Sequence, residues 1–241
     1  MRNIESWKPT RIKIDKVSGK FVLDERKVYQ GSLHMARLQF VAYIPLLEKY
    51  CSGKLLDAGC GQVPYYELLH PKVSVHYCVD RSEDAYARSL LDEVVDLNKS
   101  VLLMEKDFDT ILLTDVIAHI QQPWQLVKDL AQHLVPGGHL FITTPFVYWQ
   151  SEFPHEYYHP SGSALQKMCA DAGLEILVLE PYGGRADVLL DTLNKGMISP
   201  FFNRCFRVLA SVVKKTSWYK KTNEKTRYSY PIGYTLVARK P

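Results

Sequence analysis

The stretch Lys54-Leu55-Leu56-Asp57-Ala58-Gly59-Cys60-Gly61 decides how this chain folds. A short apolar run ending in G-x-G reads as a buried strand that turns into a helix. The two glycines let backbone approach a ligand with no Cβ in between. Residues 74–80 (SVHYCVD), 92–97 (DEVVDL), 108–116 (FDTILLTDV) and 139–146 (HLFITTPF) read as four more strands, β-branched and apolar. Between the last two, Pro123 occupies a first helical position. Trp124, Val127, Leu130, Ala131 and Leu134 follow at helical spacing, and Pro136-Gly137-Gly138 ends the helix.

Working outward, a helix is expected over 32–49 and an aromatic, proline-containing loop over 147–160. A helix over 163–172 takes Ser161 or Ser163 as its cap and Gly173 at its end. Residues 174–180 and 230–240 read as a sixth and a seventh strand. Strands alternating with helices predict a parallel sheet covered on both faces. The expected fold is α/β: a doubly wound, Rossmann-like, seven-stranded, mostly parallel sheet, with a helical insertion before the last strand. Residues 1–50 form an N-terminal arm and cap helix. Residues 51–241 form the main domain, with a lid loop at 147–160 and the insertion at about 185–228.

Acids stand at the strand ends. Asp80 closes the second strand, where a carboxylate accepts both hydroxyls of a ribose, and Asp96 closes the third. A dinucleotide fingerprint needs a third glycine or alanine where this chain has Pro64, and a pyrophosphate disfavours a site holding Asp57, Asp80, Asp96 and Asp115. An acidic, phosphate-free site suits a cationic nucleoside, S-adenosylmethionine (SAM).

KLLDAGCG, then VD at 79–80, VVDL at 94–97, FDTILLTDVIAHI at 108–120 and LVPGGHLFITTP at 134–145 together resemble class I SAM-dependent methyltransferases of the small-molecule branch with the Leu-Asp-x-Gly-Cys-Gly loop. The resemblance runs from about 50 to 180. It implies that Asp57, Gly59 and Gly61 line the methionine moiety, that Asp80 binds the ribose and that Asp96 and Leu97 flank the adenine. Thr114 and Asp115 would sit near the sulfonium. Two positions depart from the family pattern: Val63 replaces a frequent third glycine, and Ile117-Ala118-His119 replaces Leu-Glu-His.

His155-Glu156-Tyr157-Tyr158-His159 matches H-E-x-x-H, whose histidines bind zinc when they share one helix face. Pro154 and Pro160 bracket the motif and push His159 out of the helical region, so no metal is expected. The loop follows the fifth strand and resembles an H-E/D-Y-[YW] feature of relatives. His155, then His159 or His119, is the expected base for a hydroxyl acceptor; the competing role is hydrogen bonding within the loop. Tyr148, Trp149, Phe153, Glu156, Tyr157 and Tyr158 are candidates to bind the acceptor or to pack the loop down.

The composition excludes several classes. In 241 residues, no apolar run suffices to cross a bilayer, no secretory h-region opens the chain, and five scattered cysteines form no C-x-x-C pair. A reducing cytoplasm is expected. Net charge is +4, and the D/N-P-P-Y/F motif of exocyclic-amine methylation is missing after the fourth strand, so no nucleic acid is expected. Residues 204–227 nonetheless hold eight Lys or Arg against Glu224. Phe201, Phe202, Cys205, Phe206, Leu209, Val212 and Val213 make an apolar stripe among them. The segment 201–215 is expected to touch an anionic membrane, to form a homodimer interface or to pack over the sheet edge. Arg37 is a candidate for the SAM carboxylate or a surface ion pair. The activity expected is methyl transfer from SAM to a hydroxyl of a small molecule, a sugar or glycan intermediate. The alternatives are N-methylation of a small amine and a SAM-binding partner protein without catalysis.

Overall fold

The structure, a computed structural model, describes all residues except 16, 82–84, 100, 151–152 and 197–199, and for 200–205 and 207 the backbone only. After a hairpin of β1 (Ile12–Ile14) and β2 (Phe21–Leu23), α1 spans Leu33–Tyr50. The main sheet contains β3 (Gly53–Ala58), β4 (Val73–Asp80), β5 (Glu93–Val94), β6 (Phe108–Thr114), β7 (Leu134–Pro145), β8 (Glu175–Tyr182) and β9 (Gly233–Arg239). Their spatial order is β5-β4-β3-β6-β7-β9-β8, and β9 alone runs antiparallel to its neighbours. The doubly wound, mostly parallel fold is therefore as expected.

Strand periodicity explains the two faces. Leu56, Ile111, Leu113, Leu140, Ile142 and Leu236 point to one side, where they pack with Leu126, Val127 and Leu130 of α4 (Pro123–His133) and Leu165 and Cys169 of α5 (Gly162–Asp171). Their neighbours Leu55, Leu112, Phe141 and Val237 point to the other side, against Tyr43 and Leu47 of α1 and Leu68 and Leu69 of α2 (Tyr66–Leu69). Each such side chain contributes about 1.5–3 kcal/mol by leaving water.

Two element bounds differ from expectation. β7 begins at Leu134, five residues early. Gly137 takes φ +82 and donates to Lys240 O, so Pro136-Gly137-Gly138 becomes an irregularity within the strand. β5 has two residues because Asp96 folds into a turn, its Oδ1 accepting from Asn98 N at 3.0 Å. The cap of α5 is Ser161, which accepts from Ala164 N.

The insertion consists of α6 (Arg185–Gly196), α7 (Pro200–Val213) and α8 (Ser217–Thr226). It is tied to the body by a buried polar network. His34 Nε2 of α1 meets Asp187 Oδ1 at 2.8 Å, Lys214 Nζ meets His34 Nδ1 at 2.7 Å, and Tyr219 donates to Asp187. Because β8 lies parallel to β7, the insertion leaves the sheet at the carboxyl edge of the parallel strands. Of the apolar stripe, the Phe201, Phe202 and Cys205 side chains lie outside the described residues, as do those of Arg204 and Arg207. Leu209 and Val212 are exposed, with Phe206 and Val213 half-buried. Among the described residues no helix is long and apolar enough to cross a membrane.

Candidate active site

The chain runs from β3 through β4 to β5 on one side, then returns to β6 and β7 on the other, so the switch point lies between β3 and β6. Open α/β sheets bind ligands at this place, outside the carboxyl ends of the strands. Gly59 ends β3 with φ +76, Gly61 takes φ +53, and Gly59 N donates to Val79 O at 2.8 Å. A Cβ on Gly61 would meet nothing within 4 Å, so its face is open to a ligand. A Cβ on Gly59 would lie 2.4 Å from Val116 Cγ2. Val63 adopts φ +51 while fully buried, a strained backbone for a β-branched residue. Gly59→Ala is expected to cost about 1–3 kcal/mol of stability through the positive φ and the Val116 clash. A denaturant midpoint equal to wild type would refute that reading.

Two cavities flank the switch point and share Gly59 and Thr114. The first, about 490 Å³, is lined by Asp80, Asp96, Leu97, Asp115, His119, Phe153 and His155 among others. The second, about 620 Å³, is lined by Asp57, Gly61 and Tyr65, and by Lys8, Arg11 and Lys27 of the N-terminal arm. Asp80 Oδ2 accepts from Gly61 N at 2.9 Å and Oδ1 from Arg81 N at 2.6 Å. A carboxylate has about four lone-pair sites, so two remain for a ligand. Asp57 is buried and hydrogen-bonded to His76 Nε2 at 3.2 Å. Burial opposes a charge on His76, but neighbouring Cys78 and Asp57 raise it to about 9.

Asp115 sits at the junction. It takes φ +58, lines the first cavity, and lies 3.9 Å from Arg11 of the second. Both its carboxylate oxygens accept from Gln39 Nε2 at 2.8 Å, and Thr143 Oγ1 donates to Oδ1 at 3.0 Å. Tyr43 Oη pairs with Thr114 Oγ1 at 3.1 Å. Burial pushes the Tyr65 hydroxyl up to about 12, so it stays protonated beside Arg11.

The structure separates the loop residues that the sequence groups together. His155 and Phe153 are exposed at the rim of the first cavity, where His119 also stands, its Nδ1 3.0 Å from His155 O. His159 pairs with Glu156 at 2.7 Å, and neither lines either cavity. Tyr157 and Tyr158 donate their backbone N–H groups to Ala118 O, and Tyr158 packs edge-on against Trp124. Tyr148 donates to Ser32 Oγ and lies under Lys195, while Trp149 stacks on Tyr29. These four aromatics hold the loop to Ala118 and Trp124 at one end and to Ser32, Lys195 and Tyr29 at the other, and line neither cavity. Among the described residues no three His, Cys, Asp or Glu side chains converge as a metal site. Arg37 forms a two-pronged pair with Glu25 at 2.6–2.7 Å. Missed by sequence reasoning were Lys8, Arg11, Lys27, Gln39 and Tyr65. An N-terminal arm is expected from the sequence, but those of its residues that line a cavity have no local signature.

The donor set fits SAM on both sides of the shared ridge. Free lone pairs on Asp80 suit ribose hydroxyls, Leu97 offers an apolar wall, and Arg11 of the arm suits a carboxylate. The fold is that of class I SAM-dependent methyltransferases. The chain belongs to the methyltransferase domain family, whose model matches residues 35–179. It is similar to a tRNA U34 carboxymethyltransferase of Campylobacter concisus (strain 13826), 29% identical over 176 residues, covering 64% of this chain and 60% of that protein. It thus spans about three fifths of that relative's length. A SAM-dependent methyltransferase from Mesorhizobium loti shares the fold with a TM-score of 0.56 at 16% identity, covering 86% of this chain and 100% of that one.

The relatives' name overturns the expectation that nucleic acid has no place here. That expectation leaned on the small net charge and on the missing D/N-P-P-Y/F motif. The motif serves exocyclic amines, and the uracil of U34 carries none. Net charge, moreover, averages away the basic excess that 204–227 concentrates in one segment.

Proposed function

We propose that this protein transfers a methyl group from SAM to an oxygen of its acceptor, at the junction of the two cavities. The observation that carries this is the position of Asp115, held by Gln39 and Thr143 beside the shared Thr114. Bound SAM supplies an electrophilic methyl on a sulfonium. Asp80 and Asp96 hold the nucleoside in the acidic cavity, and Arg11 holds the carboxylate of the amino-acid end in the other. Displacement at the methyl carbon is in line, so catalysis rests mainly on aligning the acceptor and excluding water. Asp115 orients the acceptor hydroxyl, and His155, facing the same cavity, takes its proton. The pairing of His159 with Glu156 reserves that histidine for the loop.

A second reading is favoured by Arg11, which lies 3.9 Å from Asp115. A cation beside the transferred group suits a carboxymethyl in place of a methyl, as in the name of the tRNA-modifying relatives. Mass spectrometry of acceptors tests both. The protein is incubated with SAM, or with SAM carrying carboxymethyl on sulfur, and with sugars, sugar nucleotides or unmodified tRNA. A methylated hydroxyl and stoichiometric S-adenosylhomocysteine support the first reading. A carboxymethylated tRNA uridine supports the second. S-adenosylhomocysteine formed only with amine acceptors would overturn oxygen transfer.

A further inference from the structure

The two cavities differ in charge and in size, and both differences point to the acceptor. The acidic cavity carries Asp80, Asp96 and Asp115 against Arg81. The other carries Lys8, Arg11 and Lys27, and the one acid in its lining, Asp57, is already engaged by His76. SAM is itself a net cation, with a sulfonium and an ammonium beside its single carboxylate. Arg11, already near Asp115, is enough for that carboxylate. Lys8 and Lys27, both exposed, then remain as like charges around one hollow, open to an anion.

Size argues the same way. The basic cavity, about 620 Å³, exceeds its 490 Å³ neighbour, yet it takes the amino-acid end of SAM, which is smaller than the nucleoside end. The surplus space lies under the arm. Lys27 Nζ donates to Pro9 O and so joins the two arm segments that roof it. Thr10 also lines this cavity, and its hydroxyl oxygen is buried with no hydrogen-bond partner.

We propose that the acceptor carries a phosphate, held by Lys8 and Lys27 under the N-terminal arm while its reacting oxygen reaches Asp115. Lys8, Lys27 and Arg11 line one cavity and Arg11 lies 3.9 Å from Asp115, so one ligand can engage both the lysines and the junction. Lysine binds phosphate as a point charge without demanding one orientation, which suits a diphosphate linkage or a nucleic-acid backbone. This inference rests on the SAM-dependent reading above and names the substrate class for the same site.

Calorimetry with S-adenosylhomocysteine comes first, because absence of that binding sinks the methyltransferase reading and not this inference alone. The saturated complex is then titrated with inorganic pyrophosphate, UDP-glucose and a uridine-containing anticodon stem-loop RNA, with uridine and methyl glucoside as uncharged controls. Phosphate-bearing probes are expected to bind and the controls to bind at least about tenfold more weakly. K8E/K27E is expected to weaken the phosphate-bearing probes at least about tenfold, with S-adenosylhomocysteine affinity within about threefold of wild type. K8Q/K27Q, which keeps the arm free of new charges, gives a smaller loss in the same direction. Lys167→Glu on α5, outside both cavities, serves as the control for long-range charge and leaves probe binding as in wild type. Binding of UDP-glucose alone marks a sugar nucleotide as the source of the phosphate, and binding of the RNA alone marks a polynucleotide. The proposal is overturned if the loaded protein binds no phosphate-bearing probe, or if K8E/K27E and K8Q/K27Q bind them as wild type does.

Discussion

Replacing Asp80 with alanine is expected to weaken SAM binding about 150- to 25,000-fold, with the fold retained. Two hydrogen bonds from ribose hydroxyls to a carboxylate contribute about 1.5–3 kcal/mol each, and neither survives truncation. The loss has a second component. Asp80 Oδ2 also accepts from Gly61 N at 2.9 Å, so the carboxylate holds the glycine turn in the shape that admits the cofactor. Asp80→Asn retains an acceptor oxygen and should fall between wild type and alanine. Calorimetric titration with SAM, with circular dichroism as the folding control, decides the matter. A dissociation constant within threefold of wild type would remove Asp80 from the site.

Asp115→Asn should lower kcat about 100-fold while changing SAM affinity only a few-fold, since an amide replaces the anion that orients the hydroxyl. Its place depends on partners from distant parts of the chain: Gln39 on α1 and Thr143 on β7 hydrogen-bond to it, and Arg11 on the arm stands 3.9 Å away. The asparagine preserves shape, so packing loss cannot account for a fall in kcat. Single-turnover kinetics at saturating SAM separates the chemical step from binding. A variant that keeps kcat and loses only SAM affinity would make Asp115 a cofactor ligand alone.

These two acids illustrate how differently the site could be read. Asp80 announces itself in sequence because it closes a strand just beyond a glycine turn, and the hydrogen bond to Gly61 spans 19 residues. Asp115 shows in the sequence as an acid after a strand, which the family resemblance places near the sulfonium. Its junction position comes from a positive φ and from contacts 76 and 28 residues away, to Gln39 and Thr143.

The sequence by itself determined the alternation of strands and helices, the glycine turn at 59–61 and the acids at the strand ends. Those features are written in the two-residue period of strands and in local turn chemistry. The tertiary structure alone decided that Arg11, and not Arg37, lines the second cavity, because Glu25 holds Arg37 elsewhere. It also sent Tyr148 and Trp149 toward Ser32, Lys195 and Tyr29, and Tyr157 and Tyr158 toward Ala118 and Trp124. Whether a side chain lines a cavity or braces a loop depends on neighbours far along the chain, and no local pattern records them.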